Sequence, residues 1–93
     1  MSLNLKDTAE MMNSDNYKER FIAEYWQTKI RYEKLKSFNN KIEAAQRTEW
    51  AHNKLEMPKH DCPPDLLRQQ QQVMGEYLHV LEIRAEIEGI KLI

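Results

Sequence analysis

Residues 14–47 read SDNYKERFIAEYWQTKIRYEKLKSFNNKIEAAQR, with no Gly or Pro to interrupt them. Phe21, Tyr25, Thr28, Tyr32, Leu35, Ile42 and Ala45 recur at steps of three, four or seven. That spacing lines one side of an α-helix. Lys18, Arg20, Lys29, Arg31, Lys34, Lys36, Lys41 and Arg47 surround the apolar side. The pattern predicts a long helix over 15–47, roughly 45 Å at 1.5 Å per residue. Asn13, Ser14, Asp15 and Asn16 are all N-cap residue types, and Ser14 or Asp15 is the expected start. Asp15 and Glu19 then sit at the positive end of the helix dipole. Ser37, Asn39 and Asn40 lower helix propensity midway. Because Ile42, Ala44 and Ala45 resume the apolar pattern, they read as a soft spot and not a stop.

Upstream, residues 2–12 suggest a short, weak helix with Leu3, Leu5, Met11 and Met12 as its apolar members, able to dock or to fray. Downstream, 48–62 is a connection with Trp50, Leu55 and Met57 as expected apolar anchors. Pro58 pushes Met57 out of the helical region, so 58–62 is expected to be extended. A second helix is expected over 63–89. Pro63-Pro64-Asp65 suits a first turn, with Asp61 or Cys62 at the cap position, and Gly89 is a C-terminal stop signal. This helix carries two apolar columns, Leu66, Val73, Val80, Ile87 and Leu67, Met74, Leu81, with Tyr77 and Leu78 between them. A stripe this wide exceeds a two-stranded seam. The tail adds apolar Ile90, Leu92 and Ile93.

The expected fold is therefore all-α, a long antiparallel helical hairpin with a short N-terminal helix. A single domain of 93 residues buries only about 60–65% of its unfolded surface. Self-association into a helical-bundle oligomer is the expected supplement, through Leu66, Val73, Met74, Tyr77, Val80, Leu81 and Ile87.

The net charge of −1 gives no global field for nucleic acid. Residues 14–47 nevertheless hold eight Lys or Arg against five acids, and residues 61–93 hold three against six. One cysteine, Cys62, rules out an intrachain disulfide. No segment has the roughly 20 apolar residues that span a bilayer, and the first twenty residues lack a signal-peptide core. No membrane partner is expected, and the expected location is the cytosol of a host cell.

Catalytic and metal chemistry find little support. His60 and Cys62 lie two apart, with His52 and His79 elsewhere, but structural zinc needs four ligands, and no H-E-x-x-H occurs. Cys62 reads as a small buried hydrophobe beside the helix cap. A thin hairpin offers no cleft for a Cys62–His60 or Cys62–His79 pair, and two isolated glycines cannot cradle a phosphate. No cofactor, no metal and no enzyme activity are expected. Binding has more support. Tyr17, Lys18, Arg20, Trp26 and Lys29 interleave rings with cations, the combination that stacks bases and holds phosphates. Trp26 lies off the apolar face, as either an interface residue or a stacking platform. Arg84 reads as an ion pair with Glu88 or as an anion contact.

Ser14-Asp15-Asn16-Tyr17-Lys18-Glu19-Arg20-Phe21, Ala23-Glu24-Tyr25, Lys29-Ile30-Arg31-Tyr32, Cys62-Pro63-Pro64-Asp65-Leu66-Leu67 and Leu81 to Ile90 resemble a family of small phage and prophage proteins of gut Firmicutes. The resemblance spans about residues 11–90 and implies no activity or site residue. The arrangement of a short helix, a long helix and a Pro-initiated helix is similar in shape to helical-hairpin anti-CBASS sponges. Those assemble and trap cyclic nucleotides between subunits. The expectation that follows is a non-enzymatic phage-type protein that counters host defence by sequestering a small anionic nucleotide at subunit interfaces. The alternatives are a protein–protein inhibitor or adaptor of a host or phage protein, a host defence protein among them, and a small nucleic-acid binder.

Overall fold

The computed structural model describes residues 3–92; Ser2 of the expected first helix and Ile93 of the apolar tail lie outside the described residues. Three helices follow in order: α1 (Leu5–Met12), α2 (Tyr17–Arg47) and α3 (Pro64–Glu88). There is no strand among the described residues. The fold is the expected all-α hairpin, α2 and α3 running antiparallel with α1 folded back on α2. The molecule extends 54 × 25 × 24 Å.

Each helix end has a local cause. Asn4 caps α1 in a reciprocal box with Asp7, accepting from the Asp7 N–H at 2.8 Å while its own N–H donates to the Asp7 carboxylate at 3.2 Å. The cap of α2 is Asn16, not Ser14 or Asp15. Ser14 Oγ accepts from the Asn16 N–H at 3.0 Å, a local turn that leaves Asn16 extended and free to accept from the Lys18 N–H at 2.8 Å. The helix runs unbroken through Ser37, Asn39 and Asn40 to Arg47. Pro63, rather than Asp61 or Cys62, holds the cap position of α3, with Pro64 at its first turn. Gly89 ends α3 with φ of 68°, a left-handed conformation that other residues adopt only at a cost.

Packing divides α2 into two covered sides. Phe21 and Tyr25 meet Leu78, Leu81, Ala85 and Ile90, with Ile22, Trp26, Tyr32 and Leu92 at the margin. Ala23 lies about 200° around the helix from Phe21, on the side away from α3. It is fully buried, as is Thr8 of α1. The weak first helix therefore docks rather than frays. Towards the other end Ile42 and Ala45 are buried.

The two apolar columns of α3 part company. Leu81 is 1% exposed, and Leu67 and Met74 on its column are half-buried. Leu66, Val73, Val80 and Ile87 are exposed, as are Tyr77 and Ile83. Leu81, expected between subunits, is thus core of the single hairpin, because its register turns it toward Phe21 and Tyr25.

The connection corrects two further expectations, its apolar anchors and a buried Cys62. Trp50 is 94% exposed, and Leu55 and Met57 are also exposed, so none of them is a buried anchor. Cys62 is exposed rather than buried. Contacts of His60 hold the segment instead: its ring lies edge-on to Phe38 at 6.1 Å, and its Nδ1 lies 2.8 Å from the Cys62 carbonyl.

Candidate functional site

The first turns of α2 lie beside the last turns of α3, and there the side chains form a polar clasp over the core. Tyr17 donates its hydroxyl to Glu88 Oε1 at 2.8 Å and accepts from Arg84 Nη2 at 2.7 Å. Arg84 also pairs with Glu88, Nη2 to Oε2 at 3.1 Å, four residues along the same helix. Its guanidinium lies 5.1 Å from the centre of the Phe21 ring, within cation–π range. Tyr17 and Phe21 meet edge to face at 6.1 Å. The hydrogen bond to the Glu88 carboxylate raises the Tyr17 pKa above the usual phenol value, with burial adding and Arg84 opposing.

A cleft of about 270 Å³ opens over this clasp, lined by Met12, Tyr17, Arg20, Phe21, Glu24 and Arg84. Arg20 enters through Nη1, which donates to the Ser14 carbonyl at 2.7 Å. Glu24 is tied across to α3 by the Tyr77 hydroxyl. Two guanidiniums, two rings and two carboxylates thus meet at the end of the hairpin opposite its connection. Arg20 keeps donors free for an incoming acceptor, and Arg84 can exchange Glu88 for one.

The five residues singled out in the sequence do not converge. Successive residues turn by about 100° around a helix, so Lys18 and Lys29 point well away from Tyr17 and Arg20, and Trp26 points to the opposite side. Lys29 faces Glu33 at 3.5 Å. Lys18 is exposed. Trp26 is half-buried, edge-on to Tyr25 at 5.4 Å, and its Nε1 donates to the Leu92 carbonyl at 2.7 Å. Its indole N–H thus fastens the tail after Gly89, and the ring is not a free stacking platform. Tyr17 and Arg20 share the cleft, and Arg84, weighed in the sequence as an anion contact, joins them.

A second depression lies further along the hairpin, between α2 and α3. It has a volume of about 830 Å³, and its wall includes Tyr32, Asn39, Arg68, Gln71, Gln72 and His79. Gly75 opens the floor, since a Cβ there would stand 3.3 Å from Tyr32 Cε1. The only sequence sign of this groove was the polar interruption at Asn39-Asn40 facing the Gln69–Gln72 run.

Among the described residues no group of three or more His, Cys, Asp or Glu side chains is gathered as a metal would need. No helix among them is long and apolar enough to cross a membrane.

The model of a protein family described as Sequestin matches residues 15–87, which takes in all of α2, the connection and nearly all of α3, and leaves α1 outside. No curated protein and no solved structure matches the chain.

Proposed function

The chain belongs to the Sequestin family, and from that premise we propose that it is a non-enzymatic binding protein that sequesters a small anionic ligand of the nucleotide class. The family's name carries the sequestering role. The clasp supplies the chemistry. Arg20 and Arg84 hold phosphate oxygens by charge-assisted hydrogen bonds, and the exposed Tyr17 ring, backed edge-on by buried Phe21, offers a face for a base. In this reading the ligand is held and released unchanged. In a phage protein such capture would withdraw a host defence signal.

The working form of the protein is an assembly of copies. A folded monomer of 11.2 kDa is expected to expose about 5,700 Å², whereas this chain exposes 7107 Å². The surplus, about 1,400 Å², exceeds the roughly 800 Å² per partner of an ordinary interface. The outward column Leu66, Val73, Val80 and Ile87 is the exposed apolar face that α3 offers to a second copy. The same column also suits the groove of a foreign protein. In that second reading the chain is an inhibitor or adaptor, and the free protein is a monomer.

A thermal-melt titration with cyclic mono- and dinucleotides tests the ligand. A ligand that binds only the folded form raises Tm as its concentration climbs. The proposal expects such a rise for at least one cyclic nucleotide, and its loss when Arg20 and Arg84 both become Gln. No rise with any of them, or a rise untouched by the double substitution, overturns it.

A further inference from the structure

Asn39 stands at an unusual place for an amide, the middle of a helix–helix contact, and it is 8% exposed. Its Nδ2 donates to the Leu67 carbonyl at 3.1 Å and to Gln71 Oε1 at 2.9 Å. Because the Leu67 carbonyl can only accept, the amide is fixed with its nitrogen toward α3. That leaves Oδ1 as an acceptor closed off from solvent and without a hydrogen-bond partner. A buried carbonyl of this kind costs free energy until something donates to it.

Asn39 lines the groove of about 830 Å³ already described. The surrounding side chains define what would fit. Asn40, Gln71 and Gln72 supply further amides, and Tyr32 supplies a ring. Arg68 is outnumbered by Glu43 and Glu76, so the groove wall, unlike the balanced clasp, carries a net negative charge that disfavours a phosphate. Amide side chains recognise base edges by pairing an acceptor with an amine and a donor with a ring nitrogen. The unmet acceptor on Asn39 needs the amine half of that pair. Gln72 and Gln71 carry amide donors for the other half. Because Asn39 Oδ1 is closed off in the hairpin as it stands, a flat ligand reaches it as exposed side chains of the groove wall, Arg68 and Gln72, swing aside.

We propose that this groove is a second site that binds a nucleobase or nucleoside with an exocyclic amine, the amine donating to Asn39 Oδ1. The site lies about 22 Å along α2 from Tyr17 when counted to Tyr32, so it is distinct from the arginine cleft and does not depend on it.

Adenosine and purine riboside, which lacks the amine, are the probes, titrated into the ¹⁵N-labelled full chain and followed by NMR. Adenosine should shift the side-chain amide signals of Asn39 and Gln71 and the ring signals of Tyr32, with saturation. Purine riboside should bind at least tenfold more weakly, because it leaves the acceptor unmet. Asn39→Leu should abolish the adenosine shifts at Gln71 and Tyr32 while circular dichroism and Tm show a folded chain. If that variant does not fold, the comparison of the two nucleosides on the unaltered chain decides the matter. The proposal is overturned if adenosine moves none of these signals up to millimolar concentration, if both nucleosides bind equally, or if folded Asn39→Leu binds as before. Arg84→Gln and added inorganic phosphate should leave the shifts unchanged, so a failed cleft and a failed groove give different results.

Discussion

Tyr25 reaches across the hairpin to Glu82, its hydroxyl donating to Oε2 at 2.6 Å. The ring belongs to the central cluster with Leu78 and Leu81, while the carboxylate it holds is on an exposed residue. One side chain therefore closes the core and anchors its rim. Burial, then the hydrogen bond to Glu82, pushes the Tyr25 pKa up to about 12 from the usual phenol value of 10.0.

This shift has a definite pH consequence. The folded pKa is raised, so the stability it represents is fully present below about pH 10. It is lost as the pH climbs from there through about 12. The loss should be at most about 2.8 kcal/mol, two pKa units at about 1.4 kcal/mol each. Other tyrosines and lysines titrate nearby, so the comparison is with Tyr25→Phe. Urea melts at pH 9, 10, 11 and 12 should show a steeper decline in the natural chain than in Tyr25→Phe. Parallel declines would show that Tyr25 is not held neutral by the fold.

Removing Arg84 should act on its neighbour. The Arg84 charge opposes the rise in the Tyr17 pKa, so Arg84→Gln should move Tyr17 ionisation to still higher pH. Ultraviolet titration of the natural chain and Arg84→Gln, each against its Tyr17→Phe counterpart, isolates that signal. A downward move would mean that Arg84 does not bond to Tyr17.

The two glycines should respond oppositely to a methyl group. Gly89 has φ of 68°, and Gly89→Ala should cost about 1 kcal/mol for the left-handed backbone. Gly75 lies inside α3, where Ala gains up to about 1 kcal/mol of helix propensity. The nearest atoms the new Cβ would meet belong to the ring edge of Tyr32, and Tyr32, half-buried at the groove, can swing away. Chemical denaturation should therefore rank Gly75→Ala above the natural chain and Gly89→Ala below it.

The two columns of α3 should separate in a concentration series. Leu81→Ala leaves a cavity in the hairpin core and should cost 2–5 kcal/mol whatever the protein concentration. Ile87 is 78% exposed, and Ile87→Ser should scarcely alter the lone hairpin. Its penalty should grow with concentration, as expected when a residue acts through association. Equal, concentration-independent penalties would place both residues in one core.

The hairpin was legible in the sequence because its signals are local. The Phe21–Ala45 spacing, the Pro63-Pro64 start and the Gly89 stop each act within a turn or two of the residue that carries them. The partition of α3 was not legible. Leu66, Val73, Val80, Ile87 and Leu67, Met74, Leu81 are equally apolar columns, and only the seating of Leu78 and Leu81 on Phe21 and Tyr25 decides which faces inward. Trp50 shows the same limit, since an aromatic in a loop says nothing about whether another element reaches it. The cleft was half legible: Tyr17 and Arg20 were found as a ring and a cation near one another, and Arg84 was weighed alone. Their union with Arg84, across 67 residues of chain, is a product of the fold. Asn39 read as a weak point of α2, when it is a cross-helix donor with a spare acceptor.

The account rests most heavily on association through the uncovered face of α3, and sedimentation equilibrium measures that directly. Across micromolar to millimolar concentrations the natural chain should have a mass that is a multiple of 11.2 kDa, and the double variant Val80→Ser with Ile87→Ser should fall to a single chain that keeps its helical signal. A natural chain that stays at 11.2 kDa at the highest concentration would contradict it.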